Sequence, residues 1–216
     1  MGHYPVFVDL SERRCVVIGG GPVAERKVEG LLAAGAAVTV ISPGLTAHQE
    51  ALAEEGRIRH VRREYGPGDL AGSELAFAAT DDGGVNAAVA REGRERGVWV
   101  NVADDPVHGD FIVPSVLRRG DLVVAVGTGG ASPALSRAIR AELEAYFTEE
   151  HAVLAEVVAG VRRELRQGSN TPDPEAWCSA LDDELRRLVT EGNPARARAR
   201  LLRRLGAETR GEARRL

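Results

Sequence analysis

The 216-residue sequence has little cysteine and no long apolar run, and these absences exclude several classes of protein. Cys15 falls in an apolar strand pattern and Cys178 in a distant polar helical pattern, so they do not resemble a metal-spaced pair, and we expect both to be reduced thiols. No stretch approaches the roughly 20 apolar residues of a membrane-spanning helix. The first residues also lack a basic leader followed by a long apolar segment. We therefore expect a globular cytoplasmic protein that holds no structural metal and has no membrane partner.

The charged residues are unevenly distributed. The formal net charge is -4, yet the last segment, ARARARLLRRLGAETRGEARRL, carries many arginines and few acids. Such a tail can contact nucleic acid or an acidic lipid surface, or it can be the solvated face of a helix. The helix interpretation is favoured, so nucleic acid is not expected as a partner.

From about residue 13 to residue 103 the sequence alternates short apolar runs with longer helical patterns. The predicted strands are RCVVIG, AVTVIS, RIRHVRR, ELAFAAT and VWVNVA, and the predicted helices are VAERKVEGLLAAG, LTAHQEALAEEG and GVNAAVAREGRERG. Strands that alternate with helices predict right-handed crossovers and an α/β fold of the Rossmann type, with a doubly wound parallel sheet. Ligands of such sheets bind at the carboxyl ends of the strands.

The pattern changes after Pro106. FIVPSVLRRGDLVVAVGT predicts two short strands around the turn RRGD, and SPALSRAIRAELEAYF predicts a helix with Ser132 as its N-cap. Beyond about residue 149 only helical patterns follow, HAVLAEVVAGVRREL and PEAWCSALDDELRRLVT. We expect three parts, at residues 1–106, 107–148 and 149–216.

A glycine-rich turn stands between the first predicted strand and the first predicted helix. Gly19, Gly21 and Ala24 form the pattern G-x-G-x-x-A, and this strand–turn–helix context is the one that dinucleotide binding requires. Gly19 permits the tight turn, Gly21 lets the backbone approach a pyrophosphate, and the helix N-terminus offers free N–H groups. The second strand ends at Ser42 without the usual ribose-binding acid. Ser42 could bond a ribose hydroxyl or a 2′-phosphate, so NADP remains open. No arginine follows Ser42 directly, and this favours NAD.

Three further loops are candidates for binding or catalysis. Thr80 and Asp82 follow the fourth strand, where they either line the cofactor crevice or cap the next helix. A second glycine-rich loop precedes the helix that starts after Ser132, and such a loop can trap the phosphate of a nucleotide or the carboxylates of a polyacid. Its candidate residues are Thr128, Gly129, Gly130, Ser132 and Arg137.

Two adjacent acids follow the last parallel strand. Asp104 lies at the edge where a nicotinamide ring would bind, and a carboxylate there can accept a proton. Asp105 precedes Pro106 and is typical of a turn. His108 is near in sequence, but a surface-loop position is favoured for it.

The motifs GGGPVAERK, AATDD..VN, NVADDP....FIVPS and GTGGASP occur in this order. Together they resemble the precorrin-2 dehydrogenase/sirohydrochlorin ferrochelatase family, the N-terminal module of siroheme synthase. The resemblance is close over roughly residues 3 to 147, and the helical remainder agrees in size and type.

The resemblance implies NAD-dependent oxidation of precorrin-2 to sirohydrochlorin, and in many members insertion of Fe²⁺ to give siroheme. It implies a homodimer, with residues 107–148 as the dimerisation segment between an NAD-binding domain and a helical module. Asp104 matches the family's catalytic aspartate. The NAD contacts match Pro22 and Val23 in the glycine turn and the segment Ser42, Pro43 and Gly44. Thr128 stands where some relatives have a phosphorylated serine, so that regulation is not carried over.

Two alternatives stay open. Some relatives only oxidise precorrin-2, and no motif separates them from the bifunctional members. A non-catalytic regulator that senses NAD or a tetrapyrrole would retain the glycine turn and have no need of Asp104.

Overall fold

The computed structural model describes residues 2–103, 105–168 and 171–206. It divides into two compact units, Met1–Val113 and Pro114–Leu216, and each has hydrophobic cores of its own. The division of the chain into three parts stays a prediction. Asp104, the predicted catalytic residue, lies outside the described residues.

The first unit is built on a parallel five-stranded sheet, which confirms the predicted fold class. Its elements are β1 (Arg14–Ile18), α1 (Pro22–Ala33), β2 (Ala37–Ile41), α2 (Ala47–Glu54), β3 (Ile58–Val61), β4 (Leu75–Ala78), α3 (Gly83–Arg96) and β5 (Trp99–Val102). The strand order is β3-β2-β1-β4-β5, so the chain reverses its direction of winding between β1 and β4. This switch point opens a crevice at the carboxyl ends of the strands.

The central strands β1 and β4 are apolar on both faces, as expected where helices cover both sides of a sheet. In β1, Cys15 and Val17 join a core that α1 closes, whereas Val16 and Ile18 join a core that α3 closes through Val89. Alternation along the strand thus divides one apolar run between two cores.

The segment after β5 returns to the outer edge of that strand. Asp110 pairs with Val100 twice: its N–H donates to the Val100 carbonyl oxygen at 2.8 Å, and its Oδ2 accepts from the Val100 N–H at 2.8 Å. Asn101 Nδ2 donates to the Phe111 carbonyl oxygen at 2.9 Å, and the Phe111 ring meets Phe77 edge-on, 5.5 Å between centroids. These contacts explain why the first unit continues past residue 106.

The second unit begins with an antiparallel hairpin and continues with helices. Its elements are β6 (Ser115–Arg119), β7 (Leu122–Val126), α4 (Pro133–Tyr146), α5 (Glu149–Gln167), α6 (Pro174–Ala180), α7 (Asp183–Thr190) and α8 (Pro194–Arg204). The helical pattern PEAWCSALDDELRRLVT forms two helices, because the first ends at Ala180 and the second begins at Asp183. The Asp182 carboxylate accepts a hydrogen bond from the Leu185 N–H at 3.0 Å, and this cap favours a new helix start over continuation.

The arginine-rich tail is more than a solvated surface. Its first half forms α8, which buries Ala197, Leu201 and Leu202 in the helical core of the second unit. Arg198 pairs with Glu164, and Arg200 pairs with Asp182. The spacing of Ala197 and Leu201 by one turn marks the buried face. Among the described residues, no helix is long and apolar enough to cross a membrane.

Candidate functional site

The turn between β1 and α1 is in close contact with the neighbouring strand ends. Gly19 has φ of +115°, and a β-carbon built on it would lie 2.3 Å from the Ala79 carbonyl oxygen. A β-carbon on Gly20 would lie 1.9 Å from the Gly44 carbonyl oxygen. The loops after β1, β2 and β4 therefore approach each other too closely for side chains at either glycine.

Gly21 differs from these two glycines because a β-carbon there would meet no atom within 4 Å. It is the N-cap of α1 in an extended conformation, with no side-chain cap, and Pro22 is the first helical residue. The early N–H groups of a helix have no partner within it, and the helix dipole makes this end positive. Open space in front of these groups is what a bound pyrophosphate requires.

We expect Gly20→Ala and Gly21→Ala to differ in their effect on the stability of the protein. Gly20→Ala should lower the free energy of unfolding by about 1–3 kcal/mol or more, because the obstructing atom is a backbone oxygen. Gly21→Ala should lower it by less, because the new methyl group meets no atom and only the N-cap preference for glycine is lost. Urea unfolding of both variants measures the difference, and equal destabilisation would contradict the close approach at Gly20.

The end of β2 forms the second wall. Ser42 is buried, and its N–H donates to the Val61 carbonyl oxygen at 3.2 Å. After Pro43 and Gly44, the Thr46 N–H donates to the Gly20 carbonyl oxygen at 3.1 Å, and the Thr46 hydroxyl donates to the Glu25 carboxylate. Thr46 thus fixes the loop after β2 to the glycine turn and to the first turn of α1.

Thr80 and Asp82 follow β4 and serve different purposes. Asp82 caps α3, since its Oδ1 accepts from the N–H groups of Gly84 at 2.7 Å and Val85 at 3.2 Å. The Thr80 hydroxyl donates to Asn86 Oδ1 at 2.8 Å, and Asn86 Nδ2 donates to the Thr80 carbonyl oxygen at 2.9 Å. Capping therefore explains Asp82, while Thr80 is held by Asn86 at the rim of the crevice.

These loops enclose a cavity of about 720 Å³ at the carboxyl edge of the sheet. All eight residues predicted to contact the cofactor line it: Gly19, Gly21, Pro22, Val23, Ser42, Pro43, Gly44 and Thr80. Lining residues not predicted from sequence include Gly20, Glu64, Tyr65 and Val85. Glu64 and Tyr65 come from the loop after β3, and their only signal in the sequence is that they follow a strand at the ligand-binding edge.

The loop after β3 is held by a buried carboxylate of α3. Glu92, 7% exposed, accepts hydrogen bonds from the Tyr65 hydroxyl at 2.6 Å, the Gly68 N–H at 3.0 Å and the Leu70 N–H at 3.2 Å. Its Oε1 also accepts from Arg96 Nε at 2.6 Å. Burial by itself raises the pKa of Glu92, but these hydrogen bonds outweigh burial, and the net pKa is lowered. Burial, followed by the bond to Glu92, raises the pKa of the Tyr65 hydroxyl.

Glu92→Gln should destabilise the protein at neutral pH by a margin that shrinks in acid. Because folding lowers the pKa of Glu92, its contribution is complete above its ordinary value of 4.5 and is lost as pH falls through the folded value. Thermal unfolding of wild type and variant from pH 7 to pH 3 measures this. Glu95→Gln, on the exposed side of the same helix, is the control; a Glu92→Gln penalty constant across this range would contradict the mechanism.

The end of β5 completes the cavity. Ala103 lines it, and its N–H donates to the Ala78 carbonyl oxygen at 2.9 Å. Asp105, the second acid of the pair, contacts His108 Nδ1 through Oδ2 at 2.6 Å, and the bond to His108 lowers the pKa of its exposed carboxyl. Asp105 therefore takes part in a turn, as predicted.

The five predicted substrate contacts belong to the second unit. Gly129 and Gly130 have φ of +63° and +88°. The Thr128 Oγ1 accepts from the Ser132 N–H at 3.1 Å, and Ser132 Oγ caps α4 by accepting from the Leu135 N–H at 3.1 Å. Arg137 is exposed on α4. The loop is thus a stable glycine-rich turn, and substrate binding there stays a prediction.

A glycine turn at the switch point of a parallel sheet, facing a polar cavity, defines a dinucleotide-binding domain. The chain belongs to a family of NAD(P)-binding domains, whose model matches residues 6–115. A second model, for the central part of sirohaem biosynthesis proteins, matches residues 119–146.

Similar proteins agree with the resemblance predicted from the four motifs, which is thereby confirmed. Siroheme synthase of Chromobacterium violaceum is 40% identical over 211 residues, covering 96% of this chain and 44% of that protein. Siroheme synthase of Methylococcus capsulatus is 40% identical over 216 residues, covering 98% of this chain and 45% of that protein. The chain thus spans less than half the length of these relatives. The solved structure of SirC, a precorrin-2 dehydrogenase, matches with a TM-score of 0.77 and 27% identity over 93% of this chain and all of that one.

Proposed function

We propose that the protein is an NAD-dependent precorrin-2 dehydrogenase that produces sirohydrochlorin for siroheme biosynthesis. The observation that carries the proposal is the cavity at the switch point, with the open position at Gly21 in front of the N-terminus of α1. The full-length match to SirC supports the choice of reaction.

The residues of the cavity suit NAD⁺. Gly21 and Val23 would hold the pyrophosphate on their backbone N–H groups, while Pro22, which has no N–H, begins α1 between them. Ser42 to Gly44 would contact the adenosine. The described lining contains Glu64, Asp81 and Asp82 but no lysine or arginine, which favours NAD⁺ over the more negatively charged NADP⁺. When bound, the oxidised nicotinamide supplies the acceptor for a hydride.

Asp104 is proposed as the base that takes the proton released when precorrin-2 is oxidised. Its neighbour Ala103 lines the cavity at the end of β5, where the β4–β5 half of the sheet would face the nicotinamide. The glycine loop with Thr128, Gly129, Gly130 and Ser132, together with Arg137, would bind carboxylates of the tetrapyrrole. We also propose a homodimer, which the resemblance implies, and a cytoplasmic location, which the composition of the sequence favours.

Ferrochelation is a second candidate activity, in which Fe²⁺ is a substrate. Siroheme formation requires two pyrrole protons to leave as the metal enters, so the same carboxylate could serve both steps. Among the described residues there is no cluster of three metal-ligating side chains. A regulator that binds DNA through its tail is less well supported, because Arg198 and Arg200 are paired with acids of the same unit.

The test is anaerobic incubation of the purified protein with precorrin-2 and NAD⁺ while the absorbance of sirohydrochlorin is recorded. Fe²⁺ is then added. Accelerated siroheme formation means that the protein is also a chelatase, and metal insertion at the uncatalysed rate means that it is a dehydrogenase alone. Absence of NAD⁺-dependent oxidation would refute the proposed function.

A further inference from the structure

The ribose-binding acid that usually ends β2 is missing here, and another strand supplies a carboxylate to the same part of the cavity. β2 is followed by Ser42, Pro43 and Gly44, and none of these is acidic. Glu64 lines the cavity from the loop after β3. Because β3 pairs in parallel with β2, with Val61 opposite Ile41, the two strands deliver their following loops to the same edge.

The main chain at Glu64 is fixed on both sides. Arg63 forms a two-pronged ion pair with Asp69, with both nitrogen–oxygen distances at 2.6 Å, and its Nη1 also donates to the Glu64 carbonyl oxygen at 2.9 Å. On the other side, the Tyr65 hydroxyl is bound to the buried carboxylate of Glu92. The position of Glu64 at the cavity wall is therefore set by the carboxylates of Asp69 and Glu92, which hold its two neighbours in the chain.

The Glu64 carboxylate itself has no ion pair or hydrogen bond with other described residues, and the neighbouring cation Arg63 is committed to Asp69. The other two acids of the lining lie after β4, on the opposite side of β1 from β2. Asp82 uses its carboxylate to cap α3. Glu64 is thus the acid on the β2–β3 half of the crevice, where the adenosine of a dinucleotide binds.

We propose that Glu64 is the specificity-determining residue of this site, accepting hydrogen bonds from the adenosine ribose hydroxyls of NAD⁺ and repelling the 2′-phosphate of NADP⁺. This inference rests on the proposed dinucleotide-binding function. A carboxylate that accepts from ribose hydroxyls favours NAD⁺, and the same charge opposes a phosphate group at the 2′ position.

The test is calorimetric titration of NAD⁺ and NADP⁺ into wild type, Glu64→Gln and Glu64→Lys. Wild type should prefer NAD⁺ by about 10–100-fold, the range expected for a hydrogen bond to a charged group. Glu64→Gln should reduce this preference, and Glu64→Lys should abolish or reverse it.

Two charge-matched variants serve as controls. Glu54→Lys changes an exposed residue of α2 outside the cavity lining, and Asp81→Lys changes an acid on the other half of the crevice. An unchanged NAD⁺/NADP⁺ ratio in Glu64→Lys, or an equal loss of preference in Asp81→Lys, would overturn the assignment of Glu64. A wild type that prefers NADP⁺ would also overturn it while leaving dinucleotide binding intact. Failure of wild type to bind either dinucleotide would refute the proposed function itself.

Discussion

Replacing Asp104 with alanine is expected to lower the turnover of precorrin-2 by about 100-fold to 10,000-fold, the usual contribution of a general base. The affinity for NAD⁺ should change little, because the described residues that line the cofactor cavity, including the glycine turn, are unaltered. Turnover should fall because Asp104 is the proposed proton acceptor at the end of β5. Steady-state rates with saturating NAD⁺, together with calorimetric titration of the cofactor, measure the two effects separately.

Two further variants make this prediction specific. Asp104→Asn retains the size of the side chain and removes its basicity, so it should be nearly as slow as Asp104→Ala. Asp105→Asn changes the adjacent acid, which bonds to His108 in a turn, and should retain most of the turnover. Turnover of Asp104→Asn at the wild-type rate would remove Asp104 from the mechanism.

Gly21→Asp should abolish measurable NAD⁺ binding while the protein remains folded. The open space at Gly21 accommodates the new side chain, and aspartate is a preferred N-cap, so the stability of α1 should be maintained or increased. The carboxylate would nevertheless stand where the pyrophosphate binds. Two like charges about 4 Å apart in a partly shielded site repel each other by roughly 4 kcal/mol. A repulsion of this size corresponds to more than a roughly 100-fold loss of affinity.

Thermal unfolding and NAD⁺ titration of the same samples distinguish loss of binding from loss of folding. Gly21→Asn is the matched control: it has nearly the same shape without the charge, and it should lose less affinity than Gly21→Asp. Normal NAD⁺ titration by Gly21→Asp would show that the pyrophosphate does not bind at this turn.

The sheet and the glycine side of the cavity were predictable because their signals are local. Each strand is a short apolar run, and Gly19 and Gly21 stand directly between a strand and a helix. Glu64 and Tyr65 were not predicted, because their placement depends on Glu92, which is distant in sequence and joins them only after α3 has packed on the sheet. A long-range hydrogen bond of this kind leaves no periodic trace in the chain.

Two details of the helical region were not evident from its sequence pattern. In LDDEL, the Asp182 side chain caps a new helix instead of continuing the previous one. The apolar periodicity continues on both sides of this position, so the pattern alone does not show where one helix ends and the next begins. In the arginine-rich tail, the favoured helix interpretation agrees with α8, but the many charges gave little sign of an apolar face on which Leu201 is completely buried. Arginine can lie beside a buried face because its long aliphatic stem carries the charge away to the solvent or to an acidic partner.

The double pairing of Asp110 with Val100 also affects how molecules of this protein meet one another. An exposed outer strand normally presents unpaired N–H and carbonyl groups to which a strand from another chain can add. Here both groups of Val100 are already occupied, one by the backbone and one by the side chain of Asp110. At this residue the Asp110 carboxylate and main chain take the place of a sixth strand, so the N–H and carbonyl groups of Val100 are not free to pair with a strand of another molecule.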